Sequence, residues 1–393
     1  MKSVCTQGIC AAMLAWAPLV LAADVPPHSA VAAPEWTALF DAPFGAAPGW
    51  AGADGVYSLP LDGDERMGQG GAARRHLIWF SDTFVGGVAA DRSRLAGTVM
   101  VNNTTALLTG SQPDPARLQF NVRRDAHGAA QAMVVPKASE RWYWPNDGVT
   151  VGGKTYTYAL RMKAGGSGAF AFEVDGIDLL AARAADAVPY AGGYAQRPLP
   201  LYAPATATRG ETTYGMATLA LTRAARAPSP DGWVYVYGLR NDNLNKKLLV
   251  ARVAPKQVAQ ASAYRFWTGS DWSADIRASA SIAGRLSSEF SVQPLADGRF
   301  LLIHQWDALG ATIVARYADS PSGPFGPAIT IWTCPEATLT PNTYVYGAKG
   351  HPNLSQAGEL LISYHVNTFD FWENFGPGGA DIYRPRFIKL PLP

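Results

Sequence analysis

The chain has 393 residues, of which 48% are hydrophobic and 16% are charged, so it can bury a large core. Its 33 basic and 31 acidic residues are spread without long runs and give a formal net charge of +2. Because nucleic acid binding requires a basic stripe that neutralises phosphates, this balance argues against such a partner and favours a neutral or mildly charged ligand.

The N-terminus has the pattern of a secretion signal. Lys2 supplies positive charge, an apolar stretch runs from Ala11 to Ala22, and small residues up to Ala23 offer a cleavage site. The stretch is interrupted by Pro18 and is too short for a membrane span. We therefore predict a signal peptide over residues 1–23, a single domain over residues 24–393 and a periplasmic or secreted location.

One pattern recurs along the rest of the chain: a polar cluster, a short strand, a turn with glycine, and an aromatic or β-branched strand. It opens five times, at Asp54, Asn146, Tyr214, Glu289 and His351. The period is roughly 74 residues, within reach of a four-stranded propeller blade with its loops. Short runs rich in Val, Ile, Thr, Tyr and Trp, separated by turn signals, indicate an all-β protein. The sequence thus predicts a five-bladed β-propeller, with a β-sandwich pair or a barrel as the alternative.

The blades are predicted in chain order. Residues 24–48 form a loose lead-in or an early strand that helps close the ring. Blade one runs from about residue 50 to 118, with one later strand over residues 95–108, and blade two from about residue 142 to 180. A long rim loop then covers Val188 to Arg209, and the remaining three blades follow. In a propeller, the first strand of each blade lines the central channel, so residues far apart in sequence meet in one polar pocket.

Two aspartates are the candidate catalytic residues. Asp54 has glycines on both sides within two positions, where backbone or ligand can approach closely, and Asp82 follows the apolar run Leu77–Phe80. A carboxylate after such a strand is costly unless it is paired or faces a wet pocket. Two carboxylates on neighbouring strands are the equipment that glycoside hydrolysis requires. The alternative, that an Asp only closes a turn, is preferred for Asp62, Asp231 and Asp297, which stand in Asp-Gly turns.

Other polar and aromatic residues near the openings of the repeat are expected to face the same pocket and bind substrate. They are Asn102, Asn103, Trp144, Asn146, Asp147, Glu289, His351, Tyr364, Asn367 and Arg384. Several have alternative roles. Asn102 and Asn103 could cap a turn, His351 could be a hydrogen-bonded structural residue or ligate a channel metal, and Arg384 could pair with Asp381.

The absences narrow the chemistry. The sequence has no glycine-rich phosphate loop, no His-Glu-x-x-His, no Gly-x-Ser-x-Gly and no Ser-x-Asp-x-Gly-x-Thr-Trp box. Beyond the predicted signal there is one cysteine, Cys334, which is expected to be buried rather than part of a disulfide. We expect no cofactor and no bound metal.

Five segments resemble a bacterial family catalogued as a domain of unknown function and related to the five-bladed-propeller endo-D-arabinanases. They are Trp50–Ser58, Leu77–Gly86, Val101–Asn103, Tyr346–Pro352 and Asp381–Arg386. The resemblance covers nearly the whole mature chain. It implies a five-bladed propeller that hydrolyses furanosidic or similar glycans, with Asp54 as acid/base and Asp82 as nucleophile. The chain departs from the arabinanase pattern at Ser81, where a Gly is common, and in a longer segment between the two aspartates, which weakens the case for D-arabinan itself.

Three functions are compatible with these features. The first is a secreted glycoside hydrolase that cleaves an oligo- or polysaccharide, for example a furanoside such as arabinan. The second is a carbohydrate-binding propeller without catalysis. The third is a polysaccharide lyase with a His or Tyr base acting on a uronate, against which the near-neutral charge argues.

Overall fold

The computed structural model describes residues 29–166, 171–187, 193–242 and 245–392, so the predicted signal peptide lies outside the described residues. Within these ranges the protein is built almost entirely from strands, which confirms the all-β prediction. None of the helices in these ranges is long and apolar enough to cross a membrane. One short α-helix, α1 (Pro34–Leu39), begins with a proline in its first turn and buries Trp36 and Leu39.

The strands follow one another in chain order with short connections. They are β1 (Val31–Ala32), β2 (Gly49–Ala53), β3 (Tyr57–Pro60), β4 (Arg75–Phe80), β5 (Thr83–Gly86), β6 (Val99–Val101), β7 (Thr104–Thr109), β8 (Leu118–Asn121), β9 (Arg123–Arg124), β10 (Ala130–Gln131), β11 (Trp142–Val151), β12 (Lys154–Ala164), β13 (Phe172–Arg183), β14 (Ala195–Leu199), β15 (Tyr202–Ala203), β16 (Glu211–Leu221), β17 (Trp233–Asp242), β18 (Asn245–Val253), β19 (Arg265–Trp267), β20 (Trp272–Ser273), β21 (Ala283–Leu286), β22 (Phe290–Pro294), β23 (Phe300–Gln305), β24 (Thr312–Ala318), β25 (Ile329–Thr333), β26 (Thr343–Gly350), β27 (Glu359–Thr368) and β28 (Pro385–Pro391).

Single turns of 3₁₀ helix occupy several of the connections. They are Pro115–Arg117, Ala184–Asp186, Pro255–Gln257, Ala261–Ala263, Ile276–Ala278, Pro335–Thr338, Pro352–Leu354, Phe371–Asn374 and Gly379–Asp381.

Five antiparallel sheets of four or more strands account for most of the described chain. The first sheet is β3-β4-β7-β8, the second β11-β12-β13-β14, the third β15 to β20 with β21 at its side, the fourth β22-β23-β24-β25, and the fifth β26-β27-β28-β1. A small sheet, β2-β5-β6, continues the strands of the first sheet, and β9 pairs with β10. The early strand expected within residues 24–48 is β1, which pairs with the final strand β28.

The inner strands of successive sheets lie side by side. β3 contacts β11, β11 contacts β16, β16 contacts β22, and β22 contacts β26. The segment Pro352–Leu354, directly after β26, returns to contact β3. Residues from the beginning and the end of the chain are therefore brought together at these inner strands.

Apolar side chains fill the spaces between neighbouring sheets. Leu59 and Trp79 of the first sheet pack with Tyr143 of the second, and comparable clusters join the second to the third, the third to the fourth and the fourth to the fifth. Phe80 of the first sheet and Phe387 of the fifth share another cluster. Burial of large apolar side chains in each space, worth about 1.5–3 kcal/mol per side chain, holds the sheets together. Cys334 is buried in the cluster between the fourth and fifth sheets, as expected.

Two details of the predicted boundaries are wrong. The single strand expected over residues 95–108 is two strands, β6 and β7, because the extended segment is interrupted at Asn102 and Asn103. Much of the described part of the predicted rim loop is extended, since β14 pairs with β13 and β15 pairs with β16. Pro198 does not prevent this pairing, because β14 is the outermost strand of its sheet, where a proline removes no required ladder hydrogen bond.

The three aspartates predicted to close Asp-Gly turns do so. The carboxylates of Asp62, Asp231 and Asp297 each accept a hydrogen bond from the backbone N–H two residues further along the chain, at 3.0 Å. This local bond stabilises the turn conformation and identifies these residues as structural.

Candidate active site

The small sheet β2-β5-β6 is joined to the first sheet through three short breaks that lie side by side. β2 and β3 are separated by residues 54–56, β4 and β5 by Ser81 and Asp82, and β6 and β7 by Asn102 and Asn103. The Asp54 N–H donates to the Asp82 carbonyl at 3.3 Å, and the Ser81 N–H donates to the Asp54 carbonyl at 3.0 Å. The interruption thus places the two candidate aspartates next to each other on neighbouring strands.

Gly55 makes this close approach possible. Its φ of +87° lies in the left-handed region, and a Cβ at this position would come within 2.7 Å of the Ser81 nitrogen. Only glycine meets both conditions without strain. The glycine beside Asp54 is therefore required by the geometry that brings Asp54 to Asp82.

Asp54 lies in a recess formed with two tyrosines from the fifth sheet and the segment before β28. The hydroxyls of Tyr346 and Tyr383 donate to its Oδ2 at 2.8 and 3.1 Å, and its Oδ1 is buried without a hydrogen-bond partner in the described part of the chain. Burial, reinforced by the negative charges of Asp82 and Glu289, raises the pKa of Asp54 to about 8, although both tyrosine hydroxyls act to lower it. Asp54 is therefore protonated at neutral pH.

Asp82 has a different set of donors. Trp144 Nε1–H and Asn102 Nδ2–H donate to its Oδ1 at 2.8 and 3.2 Å. Burial raises the pKa of Asp82 to about 6, while these two hydrogen bonds act to lower it. Because hydrogen bonds from neutral donors stabilise the ionised form, Asp82 is mainly a carboxylate at neutral pH. The two neighbouring carboxyl groups therefore differ in protonation.

A third and a fourth carboxylate lie further along the inner strands. Asp147 accepts hydrogen bonds from the Thr218 N–H at 2.7 Å and from the Gly148 N–H at 2.8 Å, and burial raises its pKa to about 6. Glu289 pairs with Lys349 at 2.5 Å. The Lys349 side chain is 2% exposed, also donates to the Gly347 carbonyl at 2.9 Å, and lies 4.7 Å from the centre of the Tyr57 ring. A buried cation therefore stands among the acidic groups.

Bulges interrupt the inner strands at these side chains. The pairing of β11 with β12 shifts between Pro145 and Gly148, that of β16 with β17 shifts between Tyr214 and Ala217, and that of β26 with β27 shifts between Tyr346 and Lys349. A bulge inserts an extra residue into one strand, which bends the strand and re-aims the side chains around it. The irregular positions of three inner strands thus coincide with the acidic residues and their partners.

Four of the predicted substrate-binding residues lie at or beside the carboxylates: Asn102, Trp144, Asp147 and Glu289, with the contacts given above. Asn146 is buried at the β11 bulge, and its amide nitrogen has no hydrogen-bond partner in the described residues. Asn367 pairs with Tyr344, on the same face of the fifth sheet as Tyr346, and its Oδ1 accepts the Thr368 N–H at 2.8 Å.

Asn103 and His351, two other predicted binding residues, are structural instead. The Asn103 side chain is fully buried, donates to the carbonyls of Val134 and Tyr143, both at 3.0 Å, and accepts the Val134 N–H at 2.8 Å. The ring nitrogens of His351 are bonded to the hydroxyls of Ser58 at 3.0 Å and Ser363 at 2.8 Å. Burial lowers the pKa of His351 to about 3, so the ring is neutral and keeps no nitrogen free for a sugar or a metal.

Tyr364 and Arg384 are also corrected. Tyr364 packs in the cluster between the fourth and fifth sheets and donates to Glu336 at 2.7 Å, because successive side chains of a strand point to opposite faces. Its neighbour His365 is the residue on the Tyr346 side. Arg384 is buried and pairs with Asp41 and Asp381, both at 3.0 Å, which is the ion-pair alternative.

Sequence reasoning did not assign roles to Tyr346, Tyr383 or Lys349. Tyr346 could have been recognised from a repeated Tyr-Gly pair, since Tyr214-Gly215 and Tyr346-Gly347 stand at the bulges of two inner strands. Tyr383 has a φ of +61°, a conformation that non-glycine residues adopt rarely and mostly where function or packing imposes it. No local sequence pattern announces that strain.

A larger cavity, of about 280 Å³, opens at the other end of the inner strands. Most of its lining is apolar, including Leu219, Leu295 and Leu392. Neither Asp54 nor Asp82 lines it. The paired carboxylates, rather than cavity size, identify the candidate active site.

Comparison with solved structures gives several similar folds. The chain is 22% identical to a protein of Bacteroides ovatus ATCC 8483 that is provisionally named a hydrolase, with a TM-score of 0.69 and coverage of 91% of this chain and 89% of that one. A GH43_1 enzyme from Xanthomonas citri complexed with xylose is 15% identical, with a TM-score of 0.45 and coverage of 91% and 93%. The α-L-arabinofuranosidase PaAbf62A from Podospora anserina, in complex with cellotriose, is 11% identical, with a TM-score of 0.43 and coverage of 87% and 98%. At 22% identity, the likeness to the Bacteroides ovatus protein concerns the fold alone.

Comparison with protein families agrees with the resemblance inferred from the sequence. No curated protein matches the chain. Residues 38–391 match a family described as a domain of unknown function, DUF5005. Because the match covers most of the sequence, the chain belongs to the DUF5005 family.

Proposed function

We propose that this protein is a glycoside hydrolase in which Asp54 is the acid/base and Asp82 is the nucleophile. The observation that carries the proposal is the pair of adjacent carboxyl groups with opposite protonation. Asp54 holds a proton at neutral pH, whereas Asp82, which accepts hydrogen bonds from Trp144 and Asn102, is ionised. Two carboxyl groups whose environments separate their pKa values are the signature of an acid and a nucleophile in this chemistry.

The proposed reaction has two steps. In the first, the Asp82 carboxylate attacks the anomeric carbon while Asp54 gives its proton to the glycosidic oxygen, so the leaving sugar departs with a hydroxyl group. In the second, Asp54, now ionised, takes a proton from a water molecule that attacks the same carbon and releases Asp82. Among the described residues both side-chain donors to Asp82 use Oδ1, so Oδ2 is the oxygen proposed to bond to carbon.

The proposal includes a five-bladed propeller as the scaffold. Its support is the succession of contacts from β3 through β11, β16 and β22 to β26, and the return of Pro352–Leu354 to β3. It is also supported by the apolar clusters between each sheet and the next, including the first and the fifth. Secretion, as expected from the N-terminal pattern, belongs to the same proposal.

The proposed substrate is a neutral oligo- or polysaccharide, with furanosides such as arabinan as the first class to test. Four acidic residues surround the site and the buried Lys349 is already paired with Glu289, so the site offers no unpaired cation among the residues described above for a uronate carboxylate. Names of similar folds include arabinofuranosidases and an enzyme with bound xylose, which agrees with this choice of substrates.

The test is a screen of purified protein against furanose and pyranose polysaccharides, with chromatographic detection of products. Asp54→Asn and Asp82→Asn are each expected to abolish cleavage and to keep the folded structure. Asp297→Asn, which alters a turn remote from the site, is the matched control and is expected to retain full activity. Full activity in both site variants would refute the proposal.

The same screen distinguishes the alternatives. Retention of a polysaccharide without any product would indicate a binding protein, and products that absorb in the ultraviolet through a new double bond would indicate a lyase.

A further inference from the structure

Large hydrophobic side chains are exposed in one short segment beside the site. Phe369, Phe371 and Trp372 are 52%, 48% and 74% exposed, respectively. We call the segment Phe369–Phe375 the aromatic platform. Scattered exposed apolar residues are ordinary on protein surfaces, but three large rings within four positions form a patch that calls for a functional explanation.

The platform is continuous with the candidate active site through aromatic contacts. The ring centroids of Phe369 and Tyr344 are 4.5 Å apart, and those of Tyr344 and Tyr346 are 5.5 Å apart. Tyr346 is the residue that donates to Asp54. On the other side, the Phe371 ring contacts Phe84 at 6.1 Å. Phe84 stands two residues after Asp82 and contacts Tyr383, the second donor to Asp54, at 5.2 Å. The rings of Phe369 and Phe371 therefore lie one aromatic neighbour beyond the residues that touch the carboxylates, and the Trp372 ring, 5.8 Å from that of Phe371, lies one further.

The platform is held in a fixed position by polar contacts underneath it. Glu373 accepts hydrogen bonds from Thr368 at 2.6 Å, Asn342 at 2.8 Å and Thr340 at 3.3 Å. The carboxylate of Asp370 accepts the Trp372 N–H at 3.0 Å and begins the single helical turn Phe371–Asn374. A surface that is rigid before binding loses little conformational entropy when a ligand stacks on it.

The chemistry of the platform selects the kind of ligand. Aromatic faces offer broad apolar contact to the C–H faces of sugar rings. The ionisable residues within Phe369–Phe375 are Asp370 and Glu373, which are both acidic and would repel an anionic polymer. A neutral glycan meets both conditions.

We infer that the aromatic platform is an additional subsite that binds neutral sugar rings of a chain extending from the carboxylate pair, so that the substrate is a polysaccharide rather than a short glycoside. The inference rests on the proposed function for the position of the cleaved bond. It also makes a claim of its own, since a platform subsite requires Trp372 and Phe369 to bind glycan whether or not hydrolysis occurs.

The test is affinity gel electrophoresis of the Asp54→Asn variant in gels that contain arabinan, arabinoxylan or, as an anionic probe, polygalacturonate. We expect at least one neutral polysaccharide to retard the protein and polygalacturonate not to. Adding Trp372→Ala or Phe369→Ala is expected to weaken the retardation about tenfold, the loss of one ring contact. Adding Leu309→Ala, a remote and 38% exposed apolar residue, is the matched control and should change nothing. Because both platform side chains are exposed, their removal should leave the midpoint of thermal unfolding unchanged. This measurement will verify that the variants fold.

Three results would overturn the inference: retardation by none of the neutral polysaccharides, equal retardation with and without Trp372, or a dimer that Trp372→Ala converts to monomer in sedimentation, which would make the platform a contact between two copies. Because Asp54→Asn is designed not to cleave, the binding result is independent of the catalytic one. If retardation depends on the platform but the wild-type protein cleaves no polysaccharide, the proposed hydrolase activity is refuted and the proposed subsite is retained.

Discussion

Exchanging one hydrogen-bond donor at each carboxylate should move opposite limbs of the pH–activity profile. Tyr346→Phe removes the hydroxyl that donates to Asp54 at 2.8 Å, and Trp144→Phe removes the indole N–H that donates to Asp82 at 2.8 Å. Both substitutions keep an aromatic ring in place. In each case a donor that stabilises the ionised carboxylate is lost, so the pKa of that carboxyl group should rise.

The size of the shift follows from the energy of the lost bond. A hydrogen bond to a charged group contributes about 1.5–3 kcal/mol, and one pKa unit corresponds to about 1.4 kcal/mol. Loss of the whole bond would thus raise the pKa by about one to two units. Tyr383 continues to donate to Asp54, and Asn102 continues to donate to Asp82, so we expect about one unit for each variant.

The direction differs between the variants because the proposed mechanism requires protonated Asp54 and ionised Asp82. With pKa values of about 6 for Asp82 and about 8 for Asp54, activity should rise through pH 6 and fall above pH 8. Tyr346→Phe should extend the alkaline limb upward and leave the acid limb in place. Trp144→Phe should move the acid limb upward and narrow the profile. These limbs belong to the interacting pair rather than to either residue alone.

The assay is kcat/KM for product release from the polysaccharide identified in the screen, measured from pH 4 to pH 10. Tyr364→Phe is the matched control, because Tyr364 donates to Glu336 outside the site and its loss should move neither limb. The assignment of roles fails if Tyr346→Phe and Trp144→Phe shift the same limb, or if the control shifts a limb as far as they do.

Three further predictions concern stability and stereochemistry. Asp54→Asn should stabilise the protein at alkaline pH: since burial raises the folded pKa of Asp54 to about 8 from an ordinary 3.8, its penalty is absent below pH 4 and complete above pH 8. The gain over wild type in urea unfolding should be on the order of 3 kcal/mol larger at pH 8 than at pH 5, and a gain independent of pH would contradict this origin. Lys349→Met should lower the free energy of unfolding by about 3–5 kcal/mol, because it leaves Glu289 buried without its cation. Combining Lys349→Met with Glu289→Leu should recover most of that loss. Strictly additive effects in a double-mutant cycle would show that the two residues are not coupled. Hydrolysis by the proposed two-step route should retain the anomeric configuration, because the anomeric carbon is inverted twice, first by the attack of Asp82 and then by the attack of water. Proton NMR of the first product would reveal the inverted anomer if this is wrong.

Much of the architecture was readable from the sequence. Each polar opening lies at or near an inner strand, because turn and strand signals are local: Asp54 and Glu289 precede β3 and β22, Asn146 and Tyr214 lie within β11 and β16, and His351 follows β26. The adjacency of Asp54 and Asp82 could also be anticipated, since they flank a single hairpin of the first sheet. These inferences need only neighbouring residues.

What the sequence did not reveal depends on register and on contacts across the molecule. Tyr346 and Tyr383 reach Asp54 from nearly 300 residues or more away, and a chain with 16 tyrosines gives no reason to choose these two. Tyr364 was expected at the site in place of His365. Its face is decided by the pairing of β26 with β27, whose register shifts between Tyr346 and Lys349.

The bulge of β11 explains how one strand can serve two places in the site. Trp144 and Asp147 are three positions apart, so in a regular strand their side chains would point to opposite faces. The extra residue between Pro145 and Gly148 bends the strand. Trp144 can then donate to Asp82 while Asp147 accepts hydrogen bonds from Thr218 of the third sheet. A bulge also loses a regular ladder contact, and the second sheet tolerates that loss because a separate apolar cluster packs against each of its two neighbouring sheets. The regular parts of the strands therefore supply the stability, and the irregular parts position the candidate catalytic carboxylates and their partners.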